Sequence, residues 1–404
     1  MQQNVLTARV RSRTATRTHG FTESVIREMT RVATHAGVLN LAQGFPDFAA
    51  PAGLKEAACA AIQADINQYA VTWGAPRLRR ALAAKYERDY GMRVDEATEV
   101  TITCGATEAM AAALMAVVNP GDEVLIFEPF YENYGPDAIL CGAAPVWLPL
   151  DPLGPLDLDA IRHAISRRTR AIVINSPNNP TGRVFSREEL SGIAKLCVEH
   201  DLVAFTDEIY EHIIYDAEHM PLATLPGMRE RTVTISGFSK TFSITGWRIG
   251  TIVAPADLTG AIRKVHDFLT VGAPAPLQEA CAVALDSFGP EYYAQLAAEY
   301  RVRRDTLHRA LTDAGFRCTI PAGAYYILAD FSSLSELDDV AYSLWLAAGG
   351  ADPASGPGVA PVPGSSFFHE PALGRSLVRF AFCKRLETLQ HAGDRLRRIA
   401  RADR

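Results

Sequence analysis

Lys240 stands in Ser236-Gly237-Phe238-Ser239-Lys240-Thr241-Phe242, and Arg248 follows in Thr245-Gly246-Trp247-Arg248-Ile249-Gly250. A lysine amine can lose its proton and condense with a carbonyl, whereas an arginine stays charged and offers a planar fork suited to phosphate. The residues between them are small or hydroxylated, with glycines at 237, 246 and 250, so the backbone can come close to a bound group. A molecule with both an aldehyde and a phosphate would engage both side chains, and pyridoxal phosphate is such a molecule. The competing reading of the stretch is a solvated loop with two ordinary cations.

Other chemistry-bearing residues stand at the ends of apolar runs. Asp207 follows Leu202-Val203-Ala204-Phe205-Thr206, and a carboxylate at the tip of a buried strand is costly unless something compensates it. A protonated ring nitrogen would do so, with an N-cap aspartate as the alternative. Tyr210 lies three residues on. Arg379 interrupts the apolar run 377–382, where a bare guanidinium is poorly tolerated; a carboxylate gripped in bidentate fashion or a structural salt bridge would satisfy it. Cys104-Gly105-Ala106-Thr107 joins a strand to an alanine-rich helix, whose N-terminus offers free N–H groups and the positive end of a dipole to an anion. Without an anion, Thr107 would be a capping residue.

The elements that position these residues alternate in type. The pattern predicts strands over 99–103, 123–127, 144–150, 171–175, 202–206, 231–235 and 251–254. Lys240 then falls in the turn just past a strand end. Helices are expected over 21–36, with Thr22 as cap and Gly37 as stop, and over 51–65, 77–90, 158–165, 186–200, 257–271, 276–288 and 291–314. Ser186 and Glu189 are spaced as a capping box. The rhythm changes after 314, with strands over 324–329 and 377–382, a Pro/Gly-rich stretch over 352–364 and flanking helices. This reads as an α/β protein: a large domain with a mostly parallel sheet between helices, plus a smaller α/β domain. The expected division is an N-terminal arm over 1–18, the N-terminal part of the small domain over 19–45, the large domain over 46–290 and the rest of the small domain over 291–404.

The chain's 404 residues exceed one compact core, 48% hydrophobic and 21% charged residues describe a globular chain, and a net charge of −6 argues against a nucleic-acid face. Seven cysteines without a CxxC pair read as reduced thiols of a cytoplasmic protein, and no His/Cys cluster has metal-ligand spacing. No apolar run reaches the ~18 residues of a membrane span, and the arginine-bearing first 20 residues lack the apolar core of a secretory signal.

Taken in order, Gly105-Ala106-Thr107, Asn179-Pro180-Thr181-Gly182, Asp207-x-x-Tyr210, Ser239-Lys240 with Arg248, and Arg379 resemble the class I/II aminotransferases, fold type I pyridoxal phosphate enzymes. The resemblance runs from about Phe21 to the C-terminus. Gln43-Gly44-Phe45-Pro46-Asp47-Phe48 resembles the kynurenine and methionine aminotransferase branch. The resemblance implies that Lys240 carries the cofactor and that Arg248, with Gly105, Ala106, Thr107 and Ser239, holds its phosphate. It implies that Tyr131 stacks on the ring, that Asp207 holds the ring nitrogen, and that Asn179 and Tyr210 share the phenolic oxygen. Arg379, with Asn179 and the backbone at Gly44, would take the substrate carboxylate. Trp73 would wall the substrate pocket, unless it is a half-buried packing residue. Tyr69 would reach a partner subunit's phosphate, which implies a homodimer with shared active sites. One departure is Gly237, where many relatives have a phosphate-binding serine; Ser236 and Ser239 are the replacements to consider.

The implied activity is ping-pong transfer of an amino group between an L-amino acid and a 2-oxo acid. The alternative within the fold is β- or γ-elimination or replacement on an amino acid with a leaving group. A pyridoxal phosphate sensor fused to a DNA-binding module is disfavoured, because about 20 residues before the family-like region are too few for a DNA-reading module. The 43–48 loop leans towards large neutral, sulfur-containing or aromatic substrates, or a specialised biosynthetic amino acid. The sequence offers no second arginine assignable to a distal carboxylate.

Overall fold

The computed structural model describes residues 13–350 and 356–402. After the short strand β1 (Leu39–Asn40), seven strands build the central sheet: β2 (Val100–Thr103), β3 (Glu123–Glu128), β4 (Ala144–Pro149), β5 (Thr169–Asn175), β6 (Val203–Asp207), β7 (Thr232–Gly237) and β8 (Gly250–Val253). Their spatial order is β2-β8-β7-β6-β5-β3-β4. All neighbours pair in parallel except β8, which runs antiparallel to both β7 and β2. Consecutive strand residues point to opposite faces. Val124, Ile126, Val173 and Phe205 accordingly enter one core, and Leu125, Phe127, Ile172 and Ile174 another. A sheet buried on both faces needs apolar residues at both parities, which explains the near-continuous hydrophobic runs.

Twelve helices accompany the strands among the described residues. They are α1 (Val25–Ala36), α2 (Ala52–Gln63), α3 (Pro76–Tyr90), α4 (Ala106–Val117), α5 (Tyr134–Leu140), α6 (Leu158–Ala164), α7 (Arg187–Glu199), α8 (Ala256–Thr270), α9 (Ala275–Ser287), α10 (Pro290–Ala314), α11 (Asp339–Ala347) and α12 (Leu386–Ala402). A second, antiparallel sheet joins β9 (Arg317–Cys318), β10 (Tyr326–Asp330), β12 (Val362–Pro363) and β13 (Leu377–Ala381), while β11 (Val359–Ala360) pairs in parallel with β1. One core unites Leu307 and Leu311 of α10, Ile327 of β10, Phe380 of β13 and Leu396 of α12.

Several boundaries differ from the pattern's expectation. α1 begins at Val25, and its cap is Ser24 rather than Thr22: the Ser24 Oγ accepts from the Arg27 N–H at 3.2 Å. Gly37 ends that helix in the left-handed conformation at φ 64°, as expected. The Ser186–Glu189 capping box is present on α7. At α4 the cap position is Gly105, without a side-chain cap bond, rather than Thr107. The first 12 residues of the expected arm and 351–355 of the Pro/Gly-rich stretch lie outside the described residues. Thr16–His19 form a single 3-10 turn. No described helix is long and apolar enough to cross a membrane.

Candidate active site

Ligands of parallel sheets bind at the carboxyl ends of the strands. β5, β6 and β7 run in one direction, and β2 shares it because both β2 and β7 are antiparallel to β8. Asn175, Asp207, the turn after Gly237 and the start of α4 therefore meet at one edge. A cavity of about 480 Å³ opens there, lined by Lys240, Asp207, Arg248 and Arg379 among others.

Lys240 projects from the turn after β7. Its Nζ lies 3.4 Å from the Gly44 carbonyl oxygen and 5.9 and 5.7 Å from the ring centroids of Tyr210 and Tyr325. Burial lowers its pKa to about 8, with the Arg248 charge adding to the effect and Asp207 opposing it. An ordinary lysine is almost wholly protonated at neutral pH; this one has an accessible neutral form.

Asp207 ends β6 and is buried. Tyr134, the first residue of α5, donates its hydroxyl proton to Oδ2 at 2.7 Å, and the Ile209 N–H reaches Oδ1 at 3.3 Å. Burial raises the Asp207 pKa, while these two donors and Lys240 act against it. Its backbone is tied as well: the Asn175 Nδ2 donates to the Asp207 carbonyl at 2.9 Å, and the Asn175 Oδ1 accepts from the Asn179 N–H at 2.7 Å. One asparagine thereby fixes two loops that enter the cavity.

One end, whose charge and free N–H groups suit an anion, is built by α4 and Arg248. Ala106 and Thr107, in the first turn of α4, line the cavity with Ser239 and Arg248. Helix-starting N–H groups have no intrahelical acceptor and carry the positive end of the dipole. Gly105 adopts φ +85°, and a Cβ there would fall 2.3 Å from Arg248 Nη2, so the guanidinium lies where only glycine leaves room. Gly237 is also sterically required: a Cβ would sit 2.8 Å from the Ile249 carbonyl oxygen. Of the two replacement serines, Ser239 lines the cavity, whereas Ser236 bonds Glu211 Oε1 at 3.0 Å and does not.

At the other end, Arg379 on β13 is fully buried at 0% exposure. Its Nη1 donates to Asn179 Oδ1 and its Nη2 to the Ala42 carbonyl, both at 2.7 Å. The rings of Tyr326 and Phe367 flank it at 4.3 and 4.9 Å. Its Nε has no protein acceptor, so a buried, charged donor is left over. Tyr210 and Tyr326 share a hydrogen bond at 2.9 Å beside it. Tyr131 and Gly44 complete this side of the lining.

Thus Gly44, Ala106, Thr107, Tyr131, Asn179, Asp207, Tyr210, Ser239, Lys240, Arg248 and Arg379 share one cavity, with Gly105 backing Arg248. The structure does not bring Tyr69 or Trp73 to it. Tyr69 is 88% exposed, and Trp73 lies under the Arg263 guanidinium at 5.1 Å. Sequence reasoning missed Asn175, Tyr134, Tyr326 and the α1 residues Ile26 and Arg27, which also line the cavity. Asn175, at the end of a predicted strand, was the one with a usable signal.

The family model for "Aminotransferase class I and II" matches residues 36–391. A curated relative from Mycobacterium tuberculosis, "Probable N-succinyldiaminopimelate aminotransferase DapC", is 43% identical over 96% of this chain and 98% of its own length. The methionine aminotransferase of Escherichia coli is 37% identical over 93% of this chain and 96% of its own. The solved structure of N-succinyldiaminopimelate aminotransferase from M. tuberculosis superposes with a TM-score of 0.91 at 43% identity, covering 96% of this chain and 100% of that one.

Proposed function

The chain belongs to the class I and II aminotransferase family, and from that premise we propose how its own residues move an amino group between an L-amino acid and a 2-oxo acid. It is a pyridoxal phosphate-dependent aminotransferase of fold type I. The relatives' names are those of transaminases, which favours transfer over the elimination reading.

The residues fit the cofactor on three counts. A buried carboxylate, Asp207, is available for a ring nitrogen; a helix start with an arginine is available for phosphate; and a lysine with a lowered pKa lies between them. When bound, pyridoxal phosphate supplies an aldehyde that condenses with amines and a ring that takes up negative charge. Lys240 Nζ would be the covalent attachment point for the aldehyde, and its neutral amine is the base placed to take the substrate's Cα proton and return it. A pKa of about 8 suits both directions of that transfer. Asp207, oriented by the Tyr134 hydroxyl, would hold the ring nitrogen. Asn179 and Tyr210 would hold the phenolic oxygen, and Tyr131 would lie against the ring. Ala106, Thr107, Ser239 and Arg248 would hold the phosphate. Arg379 orients the substrate through its α-carboxylate. Two half-reactions through the same lysine make the cycle ping-pong.

The observation that carries these roles is the grouping of Lys240, Asp207 and Arg379 in one cavity. Borohydride reduction of cofactor-saturated protein followed by peptide mapping should label Lys240; label on another residue or none would overturn the assignment. The 43–48 loop supports donors with large neutral, sulfur-containing or aromatic side chains. Exposed Tyr69, with Phe268 at 91% exposure, supports a homodimer in which Tyr69 reaches the partner's phosphate site. A cytoplasmic location accords with the seven cysteines, all free thiols.

A further inference from the structure

Four cationic residues line the cavity: Arg27, Lys240, Arg248 and Arg379; the anionic ones are Glu132 and Asp207. The reading above assigns three of these cations, to the aldehyde, the phosphate and the α-carboxylate, and places Asp207 against the ring nitrogen. Arg27 has no such assignment. Its backbone N–H is taken by Ser24, but among the described residues its guanidinium has neither an ion pair nor a hydrogen bond. Glu132, the one acid free to answer it, is instead bonded by the Ser24 hydroxyl.

The position of Arg27 is fixed by its helix. Ile26, Met29 and Ala33 bury one face of α1 in the core, which leaves Arg27 exposed on the side that borders the cavity. Arg27 and Glu132 both act on the Tyr131 phenol, whose pKa is raised by burial and by Glu132 and opposed by Arg27. Glu132 adjoins Tyr131 in sequence, and all three line the same cavity. A substrate anchored by its α-carboxylate at Arg379 and reacting beside Lys240 can extend its side chain only towards groups not already engaged by the cofactor.

We propose that Arg27 is a specificity-determining residue that receives the distal carboxylate of one of the two ping-pong substrates, a 2-oxo diacid or the matching amino diacid. The inference rests on the transaminase reading and extends it. A guanidinium on a flexible stem pairs with a carboxylate when one is present and turns to solvent when the side chain is neutral. The same cavity can then serve a neutral donor in one half-reaction and a diacid acceptor in the other.

The test compares the holoenzyme with Arg27→Gln and Arg27→Lys in two ratios. One is kcat/KM for 2-oxoglutarate over 2-oxohexanoate with a common amino donor. The other is calorimetric affinity for glutarate over valerate. Each ratio should fall about fivefold in Arg27→Gln, the upper end for one exposed charge pair, and recover in part in Arg27→Lys. Ratios within about twofold of the parent in both measurements overturn the proposal. Arg27 is exposed, so loss of fold does not confound either variant. If no donor yields a 2-oxo acid, the transaminase reading fails, and the glutarate-to-valerate ratio still decides the role of Arg27.

Discussion

Replacing Arg379 with methionine removes the charge while keeping an unbranched apolar stem between the Tyr326 and Phe367 rings. The guanidinium is fully buried and spends one N–H on Asn179 and one on Ala42, so Nε–H and two further N–H groups remain for a ligand. Two charge-assisted hydrogen bonds to a substrate carboxylate, at roughly 1.5–3 kcal/mol each, amount to about 3–6 kcal/mol, or on the order of 10²–10⁴ in kcat/KM. Arg379→Lys should fall between parent and methionine variant, because it keeps the charge but loses the fork. The assay is the single half-reaction with an amino acid, set against the amine that lacks its α-carboxylate. The loss should be confined to the amino acid. A methionine variant within about tenfold of the parent, or one equally impaired on both compounds, refutes the role. Thermal unfolding run alongside separates this from damage to the Asn179 and Ala42 contacts.

Lys240→Ala should abolish turnover and leave the melting profile of a folded protein; retained turnover would remove the basis of the mechanism. Asp137 carries a different signature, because its Oδ2 is buried without a partner and burial raises its pKa to about 7. The folded state then holds a proton that the unfolded chain, near 3.8, releases, so stability falls as pH rises from about 4 to about 7, by up to about 4 kcal/mol. Asp137→Asn should flatten that window in thermal unfolding, and an unchanged slope would count against it. His266 meets an acceptor at each ring nitrogen, Glu108 Oε1 at 3.0 Å and the Thr72 carbonyl at 2.8 Å. Burial works against its charge, but these partners outweigh burial and raise the pKa. Its stabilisation should be complete below the unfolded value of about 6.5 and vanish as pH climbs through the folded value. An NMR titration midpoint under about 6.5 would contradict this.

What the sequence made legible follows from how much of each role is local. Lys240, Asp207 and Asn179 follow apolar strand runs, and a strand end is where a parallel sheet puts ligands, so residue type and position agreed. The strand pattern was readable for the same reason, apart from direction: apolar residues in β8 do not say that it runs antiparallel. α5 was hidden by Gly135-Pro136 inside it, and β11 and β12, two residues each, are too short for any periodicity. Tyr134, Tyr326 and Arg27 had no local signal, because each matters only through a partner more than 70 residues away or through the cavity it borders. Tyr69 and Trp73 were tied to the site by resemblance, and within one chain they lie apart from it. The replacement for serine at 237 was an open choice until packing turned Ser236 towards Glu211.

The two ends of the cavity belong to different sheets. Lys240, Asp207, Asn179 and the α4 start stand on the seven-stranded sheet, whereas Arg379 and Tyr326 stand on the antiparallel one. The loop 42–47, remote in sequence from both, is fastened mainly to the second. Arg379 donates to the Ala42 carbonyl, the Tyr325 hydroxyl to the Gly44 carbonyl at 2.8 Å, and Lys384 Nζ to the Phe45 carbonyl at 2.8 Å, while the Arg385 N–H bonds Asp47. Loop, Arg379 and small sheet are therefore tied together by hydrogen bonds. Inside the cavity the large-sheet side meets them through the Lys240 contact with Gly44, the Asn179 contact with Arg379 and the Tyr210–Tyr326 pair, and outside the cavity through backbone bonds such as Ala324 N–H to the Ile213 carbonyl at 2.9 Å. On the proposed roles, a substrate held at Arg379 and reacting beside Lys240 would bridge the two sheets, so its carboxylate would contribute to positioning as well as to affinity.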